Sequence, residues 1–103
     1  MGEEGIAEIK EFVEKLRKEI GELRALFFGS RARGDYLKTS DFDLILISEK
    51  FKGMHFLDRI CFIYEFWDKK EHLDVFCYTE EEFEKKKNEI GTVKKALEEG
   101  ILL

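Results

Sequence analysis

Proline and glutamine are absent from this chain, and asparagine occurs once, at Asn88. Without proline, element boundaries must be set by glycine and by polar caps. Scarce amides beside abundant, interspersed Lys and Glu are the composition expected of a heat-adapted cytoplasmic protein. Cysteine is nearly missing too. Cys61 and Cys77 have no Cys-x-x-Cys spacing, so neither a disulfide framework nor a zinc knuckle can be built from them. Both sit among apolar neighbours and are expected to be small buried hydrophobes in a reducing compartment. Long hydrophobic runs are lacking. The apolar runs, Leu44 to Ile47 among them, reach four to six residues, far short of the roughly 20 that span a bilayer. The first residues, Met-Gly-Glu-Glu-Gly, are acidic with no apolar signal segment, so no secretory leader and no membrane partner are expected. There is no basic excess either. Eighteen Lys and Arg face 23 Asp and Glu, for a net charge of −5. That excludes an extended nucleic-acid surface while leaving space for a local basic pocket that takes phosphates.

The 103 residues suffice for one domain, expected over 1–103. With 44% apolar residues the core is real but small, and a protein partner or a second copy would help to cover it.

Periodicity outlines the elements. Ile6, Ile9, Val13, Leu16 and Ile20 are spaced for one face of a helix, and Gly21 is its stop. Leu23 to Phe28 reads as a strand ending at Gly29-Ser30. Arg31 to Ser40 is polar and reads as a helical turn and loop. Asp41 to Ile47 is the next strand, polar where it begins and then apolar on both faces, the pattern of a central strand opening into a site. Phe56, Leu57, Ile60, Ile63, Tyr64 and Trp67 predict a helix over 54–69. His72 to Tyr78 is a third strand. Thr79 with Glu82 forms a capping box that opens a charged helix through Lys87. Ile90, Val93, Ala96 and Leu97 predict a last helix, stopped by Gly100. The expected fold is therefore α/β in the broad, α+β sense: a small mixed sheet of three to four strands with helices packed on it. The apolar tail Ile101-Leu-Leu103 is expected to dock on the core or to form an interface.

Three features carry chemistry. Gly29-Ser30 follows a strand directly. A glycine lets a ligand approach the backbone, and a serine with neighbouring N–H groups suits an anion. Asp41-Phe42-Asp43 places two carboxylates on one strand face with Phe42 on the other. Like charges at neighbouring positions repel, and a hard divalent cation relieves the repulsion. Asp74 is a carboxylate within an otherwise apolar strand, costly there unless paired or bound to metal. A neighbouring strand would bring it beside Asp41 and Asp43. Three carboxylates around two metal ions suit in-line displacement at phosphorus, with Asp74 on the nucleophile side. His55 and His72 have no second ligand at helical spacing, which argues against zinc. Tyr64 and Trp67 read as core, and Lys85 to Lys87 as a solvated helix face.

Taken together, Gly29-Ser30, the ten-residue interval to Asp41-x-Asp43, and an acid in the next strand resemble the nucleotidyltransferase superfamily of DNA polymerase β. The run Gly29-Ser-Arg-Ala-Arg-Gly34 with Ser40-Asp-Phe-Asp-Leu44 looks most like its minimal nucleotidyltransferases, and the resemblance covers nearly the whole chain. It implies that Gly29 and Ser30 hold nucleotide phosphates, with Arg31 and Arg33 as further phosphate contacts. It implies that Asp41 and Asp43 bind Mg²⁺, with Asp74 as the third acid and two ions in the site. The implied reaction moves a nucleoside monophosphate, AMP from ATP, to a hydroxyl acceptor. Larger relatives use extra domains to hold the acceptor. A chain of this size is expected to rely on a second protein. Similar minimal nucleotidyltransferases are antitoxins paired with a HEPN ribonuclease, some of which modify a tyrosine of that toxin. A non-catalytic module that neutralises its partner by contact, or a small-molecule nucleotidyltransferase built from two copies, are the alternative readings. Tyr36, Leu37 and Phe42 each stand where they could border the base.

Overall fold

Ile9, Val13 and Leu16 have no exposed surface, as one apolar stripe of a helix laid on a sheet requires. In the computed structural model, which describes residues 3–29, 32, 41–89 and 91–103, they belong to α1 (Glu3–Ile20). Gly21, at φ +85°, closes that helix with its N–H on the Arg17 carbonyl at 3.0 Å. There follow β1 (Arg24–Phe28), β2 (Phe42–Ile47), a 3₁₀ turn at Glu49–Phe51, α2 (Phe56–Tyr64), β3 (Leu73–Tyr78), α3 (Glu80–Lys86), α4 (Thr92–Glu99) and β4 (Ile101–Leu102).

The strands form one mixed sheet in the order β3-β2-β1-β4. β1 runs antiparallel to β2 and β4, whereas β2 and β3 are parallel. Alternation sorts the side chains onto two faces. Phe27, Phe42, Leu44, Leu46, Leu73, Val75 and Cys77 pack with α1 and with Ile63 of α2. Leu26, Phe28, Ile45 and Ile47 pack with Phe83, Val93 and Ala96 of α3 and α4. β2 is therefore covered on both sides, as its unbroken apolar run demands.

Two expectations are corrected around α2. The helix is shorter than 54–69. It begins at Phe56 because the Nδ1 of His55 caps it, accepting the Leu57 N–H at 3.2 Å. It ends early because the N–H groups of Phe66 and Trp67 reach back only three residues, to Ile63 and Tyr64. That tighter turn seats Trp67 edge-on against Phe12 and Phe42, with ring centroids 4.9 and 5.3 Å apart. Its inward stripe also differs. Arg59 and Ile63 face in, whereas Phe56 and Leu57 are exposed. Cys61, midway between the two inward residues, points away from the sheet and is exposed, while Cys77 is buried as expected.

The tail docks. Ile101 and Leu102 pair with Phe27 and Leu26, and the Leu103 N–H reaches the Ala25 carbonyl at 2.9 Å. The chain thus ends on a fourth strand rather than on a helix, and Leu97 and Leu102 remain exposed. Ile90 lies outside the described residues.

The capping box at α3 is present as read. Thr79 Oγ1 accepts the Glu82 N–H at 3.3 Å, and Glu82 Oε1 accepts the Thr79 N–H at 2.9 Å. Thr79→Ala is expected to cost about 1 kcal/mol, a fall of about 4–8 °C in Tm for a domain of this size, read by thermal melt. Among the described residues no helix is long and apolar enough to cross a membrane.

Candidate active site

Asp43 opposes Asp74 directly in the parallel β2–β3 pair. On both strands their neighbours in the alternation, Ile45 on β2 and Phe76 on β3, lie on the face covered by α3 and α4. The two carboxylates therefore stand side by side on that face, where both strands begin. Asp41 and His72 extend the same two rows by one step each. Asp41 and His72 are exposed, and Asp43 and Asp74 are half-buried. Phe28 of β1 opposes Asp43, and its ring lies 6.3 Å from that of Phe76. An apolar floor thus borders the acids.

Gly29 completes the edge. Its φ is +85°, a left-handed conformation that suits glycine. A Cβ there would fall on the Asp43 carboxylate, 3.0 Å from Cγ. The missing side chain is what leaves room for Asp43. Gly29→Ala is expected to cost about 1–2 kcal/mol of stability from the left-handed backbone. It should also reduce transfer about 10²-fold by displacing the carboxylate. Thermal melts and initial rates of the two proteins check both numbers.

Asp74 differs from its sequence reading in one respect. β3 is an edge strand with alternating buried and half-buried residues, so Asp74, on the half-buried side at the start of the strand, is reached by solvent rather than enclosed in the core. Its side chain is 46% exposed, and its Oδ1 is 3.0 Å from His72 Nε2. Gly29, Asp41, Asp43 and Asp74 come together at one end of the sheet. Ser30, Arg31, Arg33, Tyr36 and Leu37 lie outside the described residues.

Sequence reasoning set His72 aside because it sought partners at helical spacing. The spacing that matters is two along a strand, to Asp74, together with the cross-strand step to Asp41. His-x-Asp is the same one-face signal as Asp-x-Asp. One ligand atom each from Asp41, His72 and Asp74 lie within 4.8 Å of one another, and this donor chemistry suits a divalent cation. Tyr64 and Trp67 are structural, as read. The Tyr64 hydroxyl donates to the Leu73 carbonyl at 2.6 Å and accepts its N–H at 2.9 Å, and Trp67 Nε1 donates to the Glu71 carbonyl at 2.8 Å. Cys77 is no nucleophile, since burial pushes its thiol up to about 12. Lys85, Lys86 and Lys87 pair with Glu81, Glu89 and Glu84 on an exposed helix face.

The sequence profile of the family described as nucleotidyltransferase domain matches residues 6–103. The chain is also similar to a crystal structure from Sulfolobus solfataricus, of a protein assigned provisionally as a nucleotidyltransferase. The two are 32% identical and superpose with a TM-score of 0.65 over 91% of this chain and 74% of the other. No significant match is found among curated proteins. The mixed sheet with helices on both faces is thus a nucleotidyltransferase-like α+β fold.

Proposed function

The chain belongs to the nucleotidyltransferase domain family, and on that premise we propose that it transfers AMP from ATP to a hydroxyl group on a partner protein. The acceptor we propose is a tyrosine of a HEPN-type toxin, with this chain as the antitoxin. The observation that carries the reading is the direct cross-strand pairing of Asp43 with Asp74 beside Asp41 and Gly29.

The donor set fits the divalent cations that such transfer takes. Carboxylates on one open strand face are oxygen donors with access to water and to phosphate, as Mg²⁺ prefers. Asp41, Asp43 and Asp74 would hold the ions. When bound, they neutralise charge on the triphosphate and on the departing pyrophosphate. The resemblance assigns the nucleotide phosphates to Gly29 and Ser30, with Arg31 and Arg33 as guanidinium contacts. The acceptor oxygen forms a bond to the α-phosphorus while the bond from that phosphorus to the bridging oxygen breaks. Pyrophosphate leaves with the electron pair. Asp74 Oδ1 faces His72, so the hydroxyl proton passes to Asp74 Oδ2. Support on the acceptor side comes from an open hollow of about 490 Å³ along the same strand, lined by Phe56, Arg59, Phe76, Tyr78, Glu82 and Lys86.

The test is to incubate the pure protein with Mg²⁺, ATP and lysate of its source, using α-labelled and γ-labelled ATP in parallel. Label on a protein band from α-labelled ATP only, absent when Asp43→Asn replaces the wild type, is the expected result. Label from γ-labelled ATP as well would indicate a contaminating kinase or different chemistry, and label from γ-labelled ATP alone would indicate phosphoryl transfer instead. No variant-dependent label would favour a module that acts on its partner by contact.

A further inference from the structure

We propose that Tyr64 is a positioning residue for Asp74. Its hydroxyl takes the place of the strand that β3 lacks on its outer edge, and it holds the backbone that leads into the acid. This role rests on the reading of Asp74 as an acid of the transfer site and goes beyond it in naming what fixes that acid.

The sheet by itself holds this acid from one side only. β3 is an edge strand whose one strand neighbour is β2. The His72 carbonyl accepts the Phe42 N–H at 2.9 Å, and the Tyr78 carbonyl accepts the Ser48 N–H at 3.0 Å. Alternation along the strand then turns the backbone groups of His72, Asp74, Phe76 and Tyr78 toward β2. Those of Leu73, Val75 and Cys77 turn toward the outer edge. Asp74 is the second residue of β3, and strand ends are where fraying begins. Its side chain is 46% exposed, so packing alone does not fix it.

Tyr64, the last residue of α2, closes that edge at the residue before the acid. Its hydroxyl accepts the Leu73 N–H at 2.9 Å and donates to the Leu73 carbonyl at 2.6 Å. One oxygen thus does what a paired residue of a neighbouring strand would do. The two backbone groups belong to consecutive peptide units, the one that enters Leu73 and the one that enters Asp74. Each unit is planar. The first is also held by β2, through the bond from the Phe42 N–H to the His72 carbonyl. Pinned from α2 and from β2, the two planes set the direction in which the Asp74 side chain leaves the strand. The Tyr64 ring packs against the core, so the hydroxyl is presented from a fixed base. Farther along, Arg59 Nη1 donates to the Cys77 carbonyl at 3.1 Å. α2 therefore secures the same edge at both ends, but Tyr64 does so beside an acid. A reacting group must be held to about 0.5 Å, and a misplacement of about 1 Å costs about 10²-fold in rate.

The test is Tyr64→Phe, which removes the hydroxyl and keeps the ring. Amide hydrogen exchange followed by NMR reads the strand. Steady-state transfer of α-labelled nucleotide, with a fixed amount of desalted source lysate as acceptor and ATP varied, reads the acid. Rates are taken at a temperature where circular dichroism shows every protein fully folded. Protection of the Leu73 amide should fall about tenfold or more, while that of Ile45, which pairs with Leu26 of β1, is kept. kcat should fall about 10- to 100-fold, and KM for ATP should change less than about twofold. Thr79→Ala weakens the fold away from the acids and should leave both constants within about twofold of wild type. A merely structural role for Tyr64 would make the two variants alike in kcat. Unchanged protection at Leu73 would overturn the proposal, as would lost protection with kcat unchanged, and in both cases the reading of Asp74 would stand. A wild type without transfer that depends on Asp43 would overturn the reading of the acids and the role of Tyr64 together.

Discussion

Asp43→Asn is expected to reduce nucleotidyl transfer by about 10³-fold or more while the protein stays folded. Stabilisation of developing charge by a bound cation is worth several kcal/mol, and each 1.36 kcal/mol is tenfold in rate. Removing the carboxylate that faces Gly29 and opposes Asp74 therefore removes a large share of the effect. Stability should hold for the opposite reason. Asn has nearly the same shape, and Asp43 sits directly across from another carboxylate, where like charges destabilise a sheet. Asn keeps that shape and one oxygen acceptor for the contacts Asp43 makes, so the variant is expected to stay folded. Single-turnover transfer of α-labelled nucleotide and a thermal melt on the same preparation check both parts. A variant that keeps full activity would remove the carboxylate mechanism. One that unfolds would show that Asp43 holds the sheet together.

How legible the site was in the sequence follows from the range of the rules that apply. Asp41 and Asp43 share a face because strands repeat every two residues, a strictly local rule. Gly29 was readable for the same reason, although what its absent Cβ makes room for, the Asp43 carboxylate, is set by a neighbouring strand. Asp74 was found by its residue type in an apolar run, but its half-exposed setting depends on β3 lying at the sheet edge. Strand order is a property of the whole chain. β4 has two residues, too few for any period to register. His72 was passed over because the pairing that matters crosses from β3 to β2. Arg59 was missed because a charged residue on an amphipathic helix is read by default as facing water. Its position four residues before buried Ile63, on the same helical face, was the available signal.

Arg59 also carries the second large prediction. Its side chain is 8% exposed, and all three of its nitrogens donate hydrogen bonds. Nε donates to the Met54 carbonyl at 3.0 Å, and Nη1 to the Cys77 carbonyl at 3.1 Å. Nη1 and Nη2 hold the two oxygens of Glu82 at 2.5 and 3.1 Å. One guanidinium thereby joins α2, β3 and the first turn of α3. Glu82 in turn accepts the Thr79 N–H, so the capping box and the ion pair share a carboxylate. Arg59→Met would leave two carbonyls and a carboxylate without their donor. Breaking a buried pair costs about 3–5 kcal/mol, and the 43% exposure of Glu82 lets water recover part of that. A loss of about 2–3 kcal/mol is expected, or about 8–24 °C in Tm, out of a total stability on the order of 5–15 kcal/mol. Arg59→Lys should recover little, because an ammonium cannot span two carboxylate oxygens and two carbonyls from one position. The acid limb provides a separate check. The hydrogen bond from Arg59, aided by the Thr79 backbone and opposed by partial burial, holds Glu82 at about 2 against its ordinary 4.5. The unfolded chain therefore binds the proton more tightly. The stabilisation is complete above about pH 4.5 and is lost as pH falls through about 2. Urea melts at pH 7 and pH 3 should show wild type losing more stability than Arg59→Met over that interval, because the variant no longer depresses the Glu82 carboxyl. Equal losses in the two proteins would place the acid sensitivity in other carboxylates.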